Sequence, residues 1–175
     1  MLAFFTSEGR GAADRVLADL ALRLEAEGHR LAGTVQVNLE RAGDPRCDME
    51  LRILGADETV RISQNLGRGA RGCRLDPDGL ERAVALAERG LGKPADLVLV
   101  NKFGKHEADG RGFRPLIAQA LAEGIPVLTA VNRSNLEAFL AFTDGIAEEL
   151  PPEPEPLIGW CRRAIAAPGL LSAGS

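Results

Sequence analysis

The chain has 175 residues, 45% of them apolar and 26% charged, and a formal net charge of −4. That length suits one domain with a substantial core, and the apolar content excludes a disordered chain. The negative charge argues against a general nucleic-acid or acidic-membrane binder, and no apolar run approaches the roughly 20 residues of a membrane span. The N-terminus shows no basic segment followed by a long apolar stretch, so no signal peptide is expected. Cys47, Cys73 and Cys161 are odd in number and far apart, which fits reduced thiols and a cytoplasmic location.

In chain order, the apolar run Leu2 to Phe5 reads as a strand and enters the polar glycine turn Ser7-Glu8-Gly9-Arg10-Gly11. A helix follows from Ala12 to about Glu27, with Val16, Leu17, Leu20 and Leu24 on one face, and Gly28 ends it. Leu31 to Leu39 is a second β run. Met49 to Ile53 and Val60 to Ser63 flank the Gly55-Ala56-Asp57 turn and predict an antiparallel hairpin. The loop Asn65 to Arg74 is dense in glycine and arginine. Asp76 before Pro77 is a helix start, and that helix carries Leu80, Val84 and Ala87 to about Gly90. Asp96 to Val100 suits a buried central strand. Asn101 to Gly112 reads as a long polar loop, Phe113 to Glu123 as a helix and Ile125 to Thr129 as another buried strand. Ser134-Asn135-Leu136-Glu137 has the form of a capping box. PPEPEP at 151–156 reads as a stiff linker to a short helix with Ile158, Trp160, Cys161 and Ile165, and then a frayed tail.

This alternation predicts a three-layer α/β fold on a mainly parallel sheet, with a small antiparallel hairpin extension. Residues 1–150 form the domain; residues 151–175 hold the linker, helix and tail.

In an open α/β sheet, ligands bind beyond the carboxyl ends of the strands. Three loops leave that edge. The first offers Ser7, Gly9, Arg10, Gly11, Ala12 and Ala13, a strand, glycine turn and helix order in which backbone N–H groups can hold an anion. The second offers Lys102, Lys105 and Arg111, and the third Asn132 and Arg133. Arg68, Arg71 and Arg74 join if their loop folds over the same edge. Positive charge clustered on an acidic chain points to a small, highly charged anion. The glycine turn is not followed by the Lys and hydroxyl residue that serve a nucleotide's phosphates and Mg²⁺ in a Walker loop, because Ala12 and Ala13 stand there.

His106, Glu107 and Asp109 invite comparison with a metal or acid–base group, but with His29 the one other histidine a surface loop is the better reading. Cys73, between Gly72 and Arg74, has a setting that lowers a thiol pKa. With no His or Cys near it in sequence, a structural thiol is the default for Cys73, as for Cys47.

The order of the segments GARGCRLDPDGLERAV, ADLVLVNKFGKHEADGRGF and IPVLTAVNRSNLEAFLAF after a glycine loop and hairpin resembles an uncharacterised bacterial domain family whose members often occur beside molybdate-transport genes. More distantly, residues 1–150 are similar to the THEP-type P-loop nucleoside triphosphatases. That resemblance implies a P-loop NTPase-like fold with degenerate Walker motifs. Where those relatives have Gly-Lys-Thr-Thr, this chain has Gly11-Ala12-Ala13-Asp14. Where they have an acidic pair before Ile-Gly-Lys, it has Asn101-Lys102 before Phe103-Gly104-Lys105. The phosphate-binding Lys and the metal-holding acids are both absent, and phosphoryl transfer relies on them. Lys102 can supply from the second loop the charge missing from the first.

Three functions follow. The first is a non-hydrolytic anion-binding protein for molybdate, tungstate or phosphate, with no catalytic residues and no metal. The second is a divergent nucleotide-binding NTPase using Lys102, Lys105 and Arg133. The third is an interaction module that lost its ligand, with a protein partner or a homo-oligomer as its assembly; the Trp160 helix is its docking candidate, although packing back on its own sheet is the better reading of that helix.

Overall fold

The computed structural model describes residues 1–9, 11–40, 47–64 and 74–167. Seven strands form one mixed sheet: β1 (Leu2–Phe5), β2 (Leu31–Glu40), β3 (Cys47–Ile53), β4 (Glu58–Arg61), β5 (Leu97–Phe103), β6 (Val127–Val131) and β7 (Ala147–Glu149), in the order β4-β3-β2-β5-β6-β1-β7. β2, β5, β6, β1 and β7 run parallel, and β3 and β4 add the antiparallel extension. Helices α1 (Ala12–Ala26) and α6 (Pro154–Ala166) cover one face. Helices α2 (Pro77–Gly90), α4 (Arg114–Ala122) and α5 (Leu136–Thr143) cover the other. The fold is the three-layer α/β architecture expected from the sequence.

Its centre is the Leu97–Val100 run, buried on both sides as a parallel strand between helical layers must be. Leu97 and Leu99 meet Leu17, Leu20 and Leu24 of α1, while Val98 and Val100 share a cluster with Leu80, Val84 and Ile117. Asp76 caps α2 as expected, its side chain accepting from the Asp78 N–H at 3.1 Å. In β2, Gly33 has φ +95° and lies against the Leu99 backbone, too close for any side chain.

Four expectations are corrected. First, Asn101, Lys102 and Phe103 continue β5, and Lys105–Ala108 form one helical turn, α3, rather than a long loop. A register shift between Val100 and Phe103 bulges the strand there, turning Lys102 outward while Asn101 and Phe103 stay buried. Second, Ser134 does not cap a helix: a 3₁₀ turn over Arg133–Asn135 leads into α5, and no side chain caps it. Third, the linker ends at Glu153, because Pro154 opens α6 at a position where its missing N–H costs nothing. Fourth, β7 adds a strand where none was expected.

The C-terminal helix packs on the sheet. Leu157, Trp160 and Cys161 are buried beside α1, and the Trp160 indole N–H donates to Glu148 of β7 at 3.0 Å. Burial pushes the Cys161 thiol up to about 12, so this cysteine is an inert core residue. The backbones of Arg68, Arg71 and Cys73, the side chain of Cys47 and the tail from Pro168 lie outside the described residues.

Candidate functional site

Because β1, β2, β5 and β6 are parallel, their carboxyl ends meet at one edge and deliver three of the expected loops together. The glycine turn there is real: Gly9 has φ +94°, and Gly11 precedes α1 with φ +72°, conformations that favour glycine. Ser7 is half-buried and Gly9 exposed, and Ala12 and Ala13 form the first turn of α1. Arg10 lies outside the described residues.

What stands beside this turn is a carboxylate. Asp14, in the first turn of α1, accepts from Asn38 Nδ2 at 2.9 Å, Asn101 Nδ2 at 2.9 Å and Gln36 Nε2 at 3.3 Å. Gln36 also donates to Asn38 Oδ1 at 2.8 Å, and Asn101 Oδ1 accepts the Gln36 backbone N–H at 2.9 Å. Asn101 is 3% exposed, so the network ties β5 to β2 and to α1 where it must stay satisfied. A Cβ placed on Gly11 would stand 3.4 Å from Arg15 Nη1 and 3.8 Å from Asp14 Oδ2, so charges of both signs flank the turn. The helix N-terminus favours Asp14 in its position.

The cations divide. Arg133 pairs with Glu8 at 3.1 Å, joining the first and third loops, but with side chains 71% and 80% exposed the pair contributes little. Arg111 pairs with Asp109 at 3.6 Å and lines a separate depression with Glu81 and Glu88 of α2, away from the other expected site residues. Arg74 is exposed. The ammonium groups of Lys102 and Lys105 have no hydrogen-bond or ion-pair partner among the described residues, and both lysines line a cavity of about 420 Å³ with His106 and Asn132. Gln36 and Asn101 reach its wall from the Asp14 network; Met49, Leu51, Ile62, Leu75, Leu80 and Phe113 supply its apolar side. It opens on the sheet face that α2 and α4 cover, opposite α1.

Glu107 also borders the cavity, yet its charge is already used. The carboxylate is 4% exposed and accepts the Gly104 N–H at 2.9 Å and the Phe113 N–H at 3.1 Å. It braces the 104–113 segment that carries Lys105 and His106. Gly112, with φ +59°, lies against the same carboxylate with no room for a Cβ. Glu107 is thus a buried brace.

Sequence reasoning missed Asp14, Gln36 and Asn38 as site residues. The polar alternation Gln36, Asn38 at the end of an otherwise apolar strand was the available signal. The apolar lining had none, because five segments distant in the chain build it.

A parallel sheet with a glycine turn before its first helix, and polar loops gathered at one edge, defines an α/β protein of P-loop NTPase-like architecture. THEP1 from the hyperthermophile Aquifex aeolicus has a similar fold, with a TM-score of 0.54 over 93% of this chain and 96% of that chain, at 16% sequence identity. Residues 2–160 match the family described as "Protein of unknown function (DUF2478)", and the chain belongs to that family. Over 149 residues, 85% of this chain, it is 40% identical to "Molybdenum import ATP-binding protein ModC 2" of Bradyrhizobium diazoefficiens, and the match spans 17% of that protein's length.

Proposed function

We propose that this chain is a non-hydrolytic, cytoplasmic binding protein for an oxyanion of the molybdate, tungstate or phosphate kind, acting in molybdenum metabolism. The carrying observation is the pair Lys102 and Lys105, unpartnered among the described residues and placed with Asn132 at the mouth of one cavity whose nearby carboxylate, Glu107, is engaged inward. Each charge-assisted hydrogen bond from such a lysine contributes about 1.5–3 kcal/mol. The first loop is left out of the binding set, since Arg15 and Asp14 both stand beside Gly11 and their charges offset. Hydrolysis is disfavoured because Ala12 offers no cation and Asn101 no carboxylate, while Asp14 is committed to three amides. The molybdenum setting draws on the name of the relative with 40% identity.

Titration calorimetry with molybdate, tungstate, sulfate, phosphate and ATP tests the reading. An oxyanion is expected to bind, and the Lys102→Ala/Lys105→Ala variant to weaken it by at least about tenfold. Absence of oxyanion binding at millimolar concentration overturns the reading. So does Mg²⁺-dependent hydrolysis of ATP or GTP that is lost in Lys105→Ala.

A further inference from the structure

The cavity behind Lys102 and Lys105 exceeds what a free oxyanion needs. The cavity measures about 420 Å³, within the range of sites for small organic molecules. The apolar lining, or slot, is Met49 and Leu51 of β3, Leu75 ahead of α2, Leu80 of α2 and Phe113. Leu51, Leu80 and Phe113 are buried, whereas Met49 and Leu75 remain partly uncovered. An apolar slot kept open beside a cationic mouth fits a ligand with both characters. Met49 and Phe113 favour an aromatic surface through sulfur–ring and ring–ring contact.

We infer that the ligand is an oxyanion carried on a flat aromatic body, in the class of phosphate monoesters of planar ring systems. The oxyanion lies at Lys102, Lys105 and Asn132, and the ring lies in the slot over Met49 and Leu75. The inference rests on the anion-binding reading above and adds the organic body. The apolar part of the site lies on the face opposite α1.

The full chain is titrated with inorganic phosphate, molybdate, phenyl phosphate and 1-naphthyl phosphate, the last also followed by its fluorescence. Titrated at about pH 8.5, where both are dianions, the naphthyl ester is expected to bind at least about tenfold more tightly than inorganic phosphate, through burial of its apolar body. Met49→Gln and Leu75→Asn, at partly uncovered positions, are expected to abolish that difference and leave inorganic phosphate binding unchanged. Lys102→Ala/Lys105→Ala is expected to weaken both. Equal affinity for phosphate and its aryl esters overturns this inference while the anion reading stands. Naphthyl phosphate binding that ignores the lysine pair overturns the anion reading and this one with it, as does the absence of binding by every probe. Should a variant fail to fold, competition on the parent chain decides: displacement of naphthyl phosphate by excess inorganic phosphate is expected, and no displacement overturns the shared site.

Discussion

Glu107 holds the mouth of the cavity in shape, and its removal has a calculable cost. Its two oxygens accept the N–H groups of Gly104 and Phe113, at 2.9 and 3.1 Å, in a position 4% exposed. Glu107→Ala leaves both donors buried and unpaired, and each such group costs about 1–3 kcal/mol. The sum is about 2–6 kcal/mol, a large share of the ~5–15 kcal/mol that separates a folded domain from its unfolded chain. Glu107→Gln keeps the shape and one acceptor but turns an amide donor toward the other N–H, so about half of that loss is expected. Urea unfolding followed by the fluorescence of Trp160, the single tryptophan and a buried one, reads the loss as a lower midpoint at unchanged slope. Phosphate titration of the folded variant is expected to weaken, because the loosened segment carries Lys105. A Glu107→Ala chain within about 0.5 kcal/mol of the parent would refute the bracing role.

Gly33→Ala is expected to prevent stable folding, because φ is +95° and the added methyl collides with the Leu99 carbonyl of the central strand; a soluble variant with a parent-like Tm contradicts this. Arg30 hydrogen-bonds Asp96 through Nη2 at 2.6 Å, Nε at 3.2 Å and its backbone N–H at 2.7 Å, which holds the Asp96 carboxyl below the usual carboxylate range despite partial burial. Stability from this pair is present above the unfolded value of about 4 and is lost as pH falls through the lower folded value. Asp96→Asn is therefore expected to have a lower Tm at pH 7 and a flatter decline as pH falls below about 4, measured by thermal melts across pH. Cys161, its thiol raised to about 12 by burial, is expected to resist thiol reagents at pH 8 in a Cys47→Ser/Cys73→Ser background and to react once urea unfolds the chain.

The fold was legible where periodicity and punctuation are local. Leu97 to Val100 announces a central strand by composition, and Asp76-Pro77 announces a helix start by the chemistry of a cap. β7 was not legible, because Ala147-Glu148-Glu149 has no strand signature; it pairs only because β1 offers a free edge and the Trp160 indole holds Glu148. The extension of β5 was hidden for a related reason. Asn101 and Lys102 look like a loop until a bulge lets one turn in and the other out. That Lys102, Lys105 and Asn132 come together at one cavity was legible because the carboxyl-edge rule depends on topology, which the alternation of elements gives. The slot behind them depends on residues 49, 51, 62, 75, 80 and 113 meeting in space, and no spacing encodes that.

The meeting of Asp14 with Asn101 recasts the pattern that the glycine turn suggests. In the resembled NTPase arrangement the cation stands at the start of the first helix and the acid at the end of a neighbouring strand. Here the acid, Asp14, stands at the helix start, bonded 2.9 Å from Asn101, and a cation, Lys102, stands at the strand end. The helix dipole favours Asp14 at the helix start, where three amides engage it, and the strand end leaves Lys102 exposed at the cavity. Each charge thus sits where its surroundings accommodate it, and on the proposed reading the oxyanion is held by Lys102 rather than by the glycine turn.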